Sequence, residues 1–418
     1  MVAAMNDGVR RALAFALVGP AALLFGMHCS SSSPTENAPG PVGDAGLSDA
    51  SVVVVPTDGP GTSLSDLTIV TEADTSCAKT TAKSRELYPA RAGAITYAGL
   101  GRAGGRRFAH GIGDEGLSLF DLDGANPSAS PRPLFFASRF AGSPTNVVGV
   151  AFDDANGGRV VAQRFDAKGA EIAGPIELAK GRVYSVAVGR SSERSLAVWS
   201  TGSEVRARTL DASGAPDAVF DLETEAAHDN FAAGVAGAVS GNGDFLVVWS
   251  LRRTFLGEWR TYAALANAKG IVGLPRKLFG AAFPADLVNV VTNGSGYAAL
   301  FNYDGAPLVV TLDALGRLAG PGHLFEGVKD SFGAAFNIGA RGGELAIVAL
   351  RSDRSDAFRP LDGTGHAVGP WVCLSDPDLK VTHHASLDCE GDACAVLYSG
   401  AGGSVQFART DRLGMAAP

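Results

Sequence analysis

The sequence predicts an all-β fold. Short apolar segments recur along the chain, and no segment keeps a 3.6-residue apolar period over the length of a helix. Seven times such a segment ends in a turn that begins with Asp or Asn and contains Gly, with 43, 45, 56, 46, 49 and 49 residues between successive first positions. A period of roughly 40–50 residues made of short strands is typical of β-propeller blades, so we expect seven blades. The turns are Asp123–Asn126, Asp166–Gly169, Asp211–Gly214, Asn267–Gly270, Asp313–Gly316, Asp362–Gly365 and Asp411–Gly414.

Residues 184–222 give the clearest copy of the repeat. Tyr184–Val188 predicts a first strand with small residues, and Ser195–Trp199 is a near-continuous apolar run, as expected of a strand buried on both faces. Glu204–Leu210 alternates charged and apolar residues and predicts a half-exposed third strand, followed after the turn by a fourth strand at Ala218–Leu222. Each blade is therefore expected to have four strands.

The second strand recurs in each copy, and one position near its end often carries a large aromatic residue. Large side chains at that position would fill the wedge between neighbouring blades. The equivalent residues are Ala151, Trp199, Trp249, Phe301, Ala349 and Tyr398.

The last copy of the repeat stops after the turn at Asp411 and so lacks its fourth strand. Leu67–Thr71 is a spare β segment ahead of the first blade, and we predict that it completes the last one. Closing the ring in this way removes sheet edges that would otherwise be free to aggregate. The predicted fold is a seven-bladed β-propeller over residues 65–418, with an N-terminal strand closing the last blade.

The first 28 residues predict an export signal. Arg10 and Arg11 precede an apolar run at residues 12–27, which suits a signal peptide and is short for a membrane span. Cys29 and the serines after it resemble a bacterial lipoprotein signal, which implies a lipid on Cys29 and a membrane partner. The alternative is an ordinary secreted protein with a spare cysteine. Residues 29–64 are rich in Ser, Pro and Gly and predict a flexible tether.

The charge balance argues against nucleic acid as a partner. The chain has a formal net charge of −8, and removing Asp7, Arg10 and Arg11 with the signal peptide makes it −9. Binding to nucleic acid depends on cationic side chains that neutralise phosphates. We therefore expect no nucleic-acid partner.

The four remaining cysteines predict disulfides, because their number is even and the chain is predicted to be exported. Cys389 and Cys394 lie between two strand-like segments and should clip the end of a hairpin. That leaves Cys77 to pair with Cys373 and to lock the ring closure. The other two pairings and a metal site remain alternatives, although the spacing lacks a nearby His.

Val161–Gly174 and the Val-Trp-Ser segments at 198–200 and 248–250 resemble repeats of large secreted bacterial surface proteins and lipoproteins. Those repeats have the form Val-x-Ala-Gln-Arg-Phe-Asp-x-x-Gly. The resemblance covers about residues 90–414 and is strongest in the second and third copies. It implies propeller-like blades, a surface location and a binding or adhesive role, and it brings no catalytic residues.

Three local motifs favour ordinary structure over chemistry. Gly99–Gly104 matches a dinucleotide-binding pattern, but a strand rather than a helix follows it, so a hairpin is predicted. Asn293–Gly296 resembles a nucleophile elbow and is predicted to be a turn. His383 and His384 would point to opposite faces of a strand and make a poor metal chelate. The sequence therefore predicts no metal, no cofactor and no catalytic residue.

The turn spacing of 56 marks extra length in the fourth copy, and the surplus falls in residues 251–260, between its second and third strands. This segment mixes arginines with aromatic residues, the types enriched at binding hot spots. The alternative is a lengthened hairpin that covers the edge of the blade. The candidate binding residues are Arg252, Arg253, Phe255, Trp259 and Arg260.

These observations favour a non-enzymatic binding or scaffold protein of the bacterial cell envelope, anchored by lipid and recognising a protein or a glycan. Ser30 stands where an acidic residue often retains lipoproteins at the inner membrane, which favours the outer membrane. The alternative is a propeller hydrolase or lyase with its site in the central channel, since the fold alone does not decide function. A purely structural surface component is a third reading.

Overall fold

The computed structural model describes the chain in segments between Leu67 and Met415. The described residues are 67–73, 76–88, 97–103, 106–113, 116–122, 136–142, 146–153, 157–166, 171–183, 185–191, 194–201, 204–223, 231–239, 245–253, 258–267, 269–279, 285–328, 336–351, 355–375, 386–390, 392–399 and 404–415. The predicted signal peptide, Cys29 and the whole predicted tether lie outside them. No helix in the described part of the chain is long and apolar enough to cross a membrane.

The described strands form seven sheets, numbered here I to VII in chain order. The N-terminal strands are β1 (Ile69–Glu72), β2 (Ala78–Lys79) and β3 (Ser84–Tyr88). Sheet I contains β4 (Tyr97–Ala103), β5 (Arg106–Gly113) and β6 (Gly116–Asp121). Sheet II contains β7 (Phe136–Gly142), β8 (Asn146–Asp153), β9 (Arg159–Asp166) and β10 (Glu171–Lys180). Sheet III contains β11 (Ser185–Arg190), β12 (Ser195–Ser200), β13 (Val205–Leu210) and β14 (Pro216–Glu223).

The other four sheets follow the same order. Sheet IV contains β15 (Phe231–Val239), β16 (Phe245–Arg253), β17 (Glu258–Asn267) and β18 (Gly270–Phe279). Sheet V contains β19 (Ala285–Thr292), β20 (Tyr297–Tyr303), β21 (Ala306–Leu312) and β22 (Leu318–Phe325), with β1 added at its edge. Sheet VI contains β23 (Phe336–Arg341), β24 (Glu344–Leu350), β25 (Asp356–Leu361) and β26 (Val372–Cys373), with β2 added. Sheet VII contains β27 (Ser386–Glu390), β28 (Ala393–Ser399) and β29 (Val405–Asp411), with β3 added.

Within each sheet, strands consecutive in sequence pair antiparallel. The first strand of each sheet contacts the first strand of the next, from β4 through β7, β11, β15, β19 and β23 to β27, and β27 contacts β4. Antiparallel sheets repeated radially about their first strands make a β-propeller. The predicted propeller fold is therefore confirmed.

The apolar core lies between sheets. Among the described residues it divides into six clusters. Five draw their buried side chains mainly from two sheets that follow each other in the chain, and the sixth draws them from the first and last sheets, I and VII. In the second strands of sheets III and IV every described side chain is buried, and in sheet V all but the last one are. This burial explains why their sequences are continuously apolar. No single sheet has a core of its own, so each depends on its neighbours.

The wedge-filling position predicted from the repeat is confirmed. Trp199 packs in the cluster between sheets II and III, Trp249 between III and IV, and Phe301 between IV and V. Tyr398 packs between sheets VI and VII. Every residue at this position is buried, including the smaller Ala151 and Ala349.

Four of the predicted turns, at Asp211, Asp313, Asp362 and Asp411, share one geometry. The carboxylate Oδ1 of each Asp accepts the backbone N–H four residues on at 2.9 to 3.1 Å. The backbone N–H of each Asp donates to the carbonyl of that same residue at 2.8 to 3.0 Å. The Asp side chain thus takes the place of a strand partner and ends the ladder. The hydrogen bond from the Ser213 hydroxyl lowers the pKa of Asp211 below its ordinary value.

The Gly that ends each of these turns packs against the preceding sheet. Gly414 has a φ of +81°, and a Cβ built on it would lie 2.7 Å from Cδ1 of Phe358 in sheet VI. Gly316 has a φ of +74°, and its Cβ would lie 2.9 Å from Cδ1 of Leu246 in sheet IV. Glycine is required by both the backbone conformation and the close approach. The repeated turn is therefore a contact between sheets as well as a reversal of the chain.

The N-terminal segment runs along three sheets in turn, and this corrects one prediction. β1 pairs parallel with β22, with Ile69 opposite Gly322 and Glu72 opposite Phe325. β3 pairs antiparallel with β29 and supplies the fourth strand of sheet VII. An N-terminal strand does complete the last sheet, but the prediction that Leu67–Thr71 does so is wrong.

The physical reason is that the outer strand needs little apolar character. Ser84, Arg85 and Glu86 are polar and exposed, as suits a strand at the rim, and Leu87 alone is buried among the described side chains of this strand. Leu67 is buried and packs in the apolar cluster between sheets IV and V, where it lies against Gly322. The apolar residues Leu67 and Ile69 therefore pack against the apolar cluster between sheets IV and V, and β3 supplies the fourth strand of the last sheet.

Both predicted disulfides are present. Cys389 and Cys394 lie opposite each other at the end of the β27–β28 hairpin, with 4.0 Å between their Cα atoms. Cys77 pairs with Cys373 across a sequence separation of 296 residues. The second bridge fixes the N-terminal segment to sheet VI, and the predicted pairing is confirmed. Cross-linking so long a loop stabilises a fold by roughly 2–4 kcal/mol.

We predict that Gly414→Ala lowers stability more than Gly157→Ala does. Both positions have positive φ, +81° and +92°, but only the methyl group at 414 would meet a neighbouring sheet. The backbone strain of about 1–3 kcal/mol is common to both variants, and overpacking adds about 1–3 kcal/mol at 414 alone. Chemical denaturation of both variants measures the difference. Equal losses of stability in the two variants would show that the turn does not support the contact between sheets VI and VII.

Candidate functional site

One cluster of buried and exposed titratable groups joins the N-terminal segment to sheets V and VI. Nδ1 of His323 and Nδ1 of His366 each lie 2.7 Å from Oε1 of Glu72. The carboxylate and His323 are buried, with 7% and 5% of their side chains exposed, whereas 55% of the His366 side chain is exposed. The cluster is therefore closed on the protein side and open to solvent at one imidazole. We call these three residues the rim cluster.

Three separate elements supply the rim cluster. Glu72 ends β1, and its carbonyl accepts the backbone N–H of Glu326 at 3.1 Å. His323 lies in β22 between its partners Val70 and Val309. The β-ladder thus fixes two of the three backbones.

His366 is positioned by the Asp362 turn. Oδ1 of Asp362 accepts the backbone N–H of His366 at 3.1 Å and that of Thr364 at 2.8 Å. Burial alone would raise the pKa of Asp362, but hydrogen bonds from Thr364 and His366 together hold that pKa below its ordinary value. The turn carboxylate stays ionised at neutral pH and holds the loop that carries His366.

Arg359 supports the same corner from sheet VI. Its guanidinium carbon lies 5.6 Å from the ring centre of Phe325 and 5.3 Å from that of Trp371. Its Nη1 donates to the carbonyl of Ala73, the residue after Glu72, at 3.1 Å. The end of β1 is therefore held by a buried cation from the next sheet. Nε2 of His323 has no hydrogen-bond partner among the described residues.

Sequence reasoning missed the rim cluster. Glu72 is 251 residues from His323 and 294 from His366 in the chain, so no local spacing joins them. His366 stands four residues after the turn Asp, and that spacing does not point to Glu72 or His323. The sequence prediction of no metal site did not consider these residues together.

The structure places the predicted binding segment at the end of a long hairpin. Arg252 and Arg253 lie in β16, Trp259 and Arg260 lie in β17, and Arg252 is opposite Trp259 in the ladder. Phe255 lies outside the described residues, as do the side chains of Arg252, Arg253 and Trp259. The ladder joins four of the five residues, and their role in binding remains a prediction.

This hairpin is longer than its counterparts. The β16–β17 ladder runs over nine residue pairs, against eight in β8–β9, seven in β20–β21 and six in β12–β13. β15 extends beside it, with Phe231 opposite Arg253. In a four-stranded antiparallel meander, the connection between second and third strands shares a face with the crossover to the next sheet. The three extended strands therefore project on that face.

A cavity of about 280 Å³ lies on the opposite face, between sheets VI and VII. The Cys389–Cys394 disulfide lines it, with Pro360 and Leu413. Arg412 at its mouth lies 3.6 Å from Glu344 in an exposed ion pair. Its lining combines apolar side chains with a pair of opposite charges.

The comparisons with known proteins identify a fold and no family. No protein-family model matches the chain, and no curated protein sequence matches it. Among solved structures, the BP39L lectin of Burkholderia pseudomallei superposes with a TM-score of 0.53 at 13% identity, covering 81% of this chain and 97% of the lectin.

Two further solved structures superpose less well. The Dos1 propeller has a TM-score of 0.49 at 12% identity, covering 79% of this chain and 94% of its own. An α-L-arabinanase of Penicillium chrysogenum, solved with arabinobiose, has a TM-score of 0.43 at 10% identity, covering 80% and 98%. At these identities a likeness concerns the fold alone.

Proposed function

We propose that this chain is a lipid-anchored, seven-bladed propeller of a bacterial cell envelope, which binds a protein or a glycan through the extended hairpin of sheet IV. The contacts that run from β4 through each first strand to β27 and back to β4 support seven blades in a closed ring. The N-terminal strand β3, which supplies the outer strand of sheet VII, supports the closure.

The observation that carries the binding role is the length of the β16–β17 hairpin. The second strand of this hairpin runs four residues past Trp249, whereas β12 runs one residue past Trp199 and β20 two past Phe301. The residues at the end of the hairpin include Arg252, Arg253 and Trp259, types that dominate recognition hot spots. The likeness to a lectin supports the view that this fold can present a glycan site.

Export and anchoring are supported by separate observations. Two disulfides in a chain of this size are typical of proteins that fold in an oxidising compartment. Cys29 follows an apolar segment and precedes a Ser/Pro/Gly-rich stretch, which is the arrangement of a lipoprotein signal and tether. The anchor would hold the propeller on a flexible leash at the membrane, in this proposal the outer membrane.

We predict that the combined Arg253→Ala, Trp259→Ala variant loses at least about 30-fold in affinity, since hot-spot residues typically contribute about 2 kcal/mol or more. Binding of the full-length protein is measured against solubilised cell-envelope extract and against an immobilised glycan array. The matched control is Leu315→Ala with Arg317→Ala, which changes two exposed residues of the Asp313 turn on the opposite face. The control should bind as the wild type does. Equal binding by the hairpin variant would contradict the proposed role.

We predict that Cys29→Ser moves the protein from the membrane fraction to the soluble exported fraction, because the acyl chains that hold it can no longer be attached. Fractionation of expressing cells, with metabolic labelling by a palmitate analogue, gives both readouts. Label and membrane association that persist in Cys29→Ser would exclude this anchor. Binding through the hairpin is unaffected in either case, so the two parts of the proposal are tested separately.

A further inference from the structure

We propose that the rim cluster of Glu72, His323 and His366 is a site for one zinc ion, and that the ion clips the N-terminal segment onto sheets V and VI. Two imidazoles and one carboxylate are a ligand set that zinc takes in proteins, with the fourth position left to water. The three ligand atoms lie within 4.8 Å of one another.

The geometry requires only a small rearrangement. Zinc lies about 2.0–2.2 Å from nitrogen and oxygen ligands, so atoms in a tetrahedral set are about 3.4 Å apart. Oε1 of Glu72 is 2.7 Å from each Nδ1, so both separations must widen by about 0.7 Å. His366 can move readily, because its side chain is half-exposed on a turn. The backbones of His323 and Glu72 are held in a ladder, so their separation must widen by side-chain rotation.

The burial of the cluster sets both its entry path and its role. Glu72 and His323 are enclosed, whereas His366 faces solvent, so an ion would enter past His366 and keep its open position on that side. A single carboxylate balances half the charge of a divalent ion, and the Arg359 guanidinium bound to the carbonyl of Ala73 adds positive charge nearby. The two imidazole ligands favour a borderline ion such as Zn²⁺ over Ca²⁺, which takes six to eight oxygen ligands.

Such an ion would join two strands that already pair, β1 and β22, to a turn of the next sheet. Glu72 belongs to the N-terminal segment, His323 to sheet V and His366 to the turn that follows β25 in sheet VI. The Cys77–Cys373 disulfide fixes the same segment a few residues farther on. The zinc site and the disulfide would then act as two successive fastenings of one rim segment. The inference is independent of the proposed binding function.

The test uses the full-length protein stripped with EDTA and dialysed. It is titrated with Zn²⁺ by calorimetry, bound metal is counted by mass spectrometry after gel filtration, and thermal unfolding is followed with and without Zn²⁺. We expect one zinc per chain, a higher Tm with Zn²⁺, and no change in Tm with Ca²⁺. His366→Ala, which removes the exposed ligand and leaves the buried pair in place, should weaken zinc binding by at least about 100-fold and abolish the rise in Tm.

The matched control is His383→Ala with His384→Ala, which removes two histidines while leaving the rim cluster intact. It should bind zinc as the wild type does. Glu72→Gln provides a second variant, since the amide keeps an acceptor for the imidazoles but lacks the charge that the ion needs, and its zinc affinity should also fall. Zinc binding by His366→Ala at the wild-type affinity, loss of zinc in the control variant alone, or no stoichiometric zinc in the wild type would each overturn the proposal.

Discussion

The four described Asp-x-x-Gly turns, at Asp211, Asp313, Asp362 and Asp411, each bring a glycine against the preceding sheet, and these contacts set the packing of one sheet on the next. The Asp carboxylate ends the ladder by accepting backbone N–H groups, and the Gly then brings the backbone within van der Waals distance of the neighbouring sheet. Because the buried apolar clusters are shared by pairs of sheets, a sheet that loses this approach also loses its core. The spacing of the turns in the sequence is the spacing of the sheets in the ring.

The N-terminal segment has a different task, since it crosses the rims of three sheets instead of filling one. β1 adds an outer strand to sheet V, β2 to sheet VI and β3 to sheet VII, so the segment contacts three sheets. The rim cluster and the Cys77–Cys373 disulfide hold this segment at two points.

Much of the fold could be predicted from the sequence because each copy of the repeat contains the residues that determine its turns, its buried strand and its packing. The Asp and Gly of each turn, the continuously apolar second strand and the wedge position at Trp199, Trp249 and Phe301 are all local signals. The identity of the closing strand could not be predicted, because Ser84–Tyr88 lacks an apolar pattern and the choice depends on which sheet edge has room. The rim cluster was hidden for a related reason. Its three members come together only after the ring has brought residues 72, 323 and 366 to one corner.

The most direct test of the account is a double-mutant cycle on the contact between sheets VI and VII. Gly414→Ala and Phe358→Leu are measured singly and together by denaturant unfolding, with Gly157→Ala combined with Phe358→Leu as the reference pair. A methyl group at 414 would meet the Phe358 ring at 2.7 Å, whereas one at 157 meets no atom within 4 Å. If Gly414 supports the packing of sheet VII on sheet VI, Phe358→Leu reduces the loss of stability caused by Gly414→Ala, with a coupling free energy above about 0.5 kcal/mol. The reference pair is then additive. Additive losses of stability in both pairs would contradict this role of Gly414.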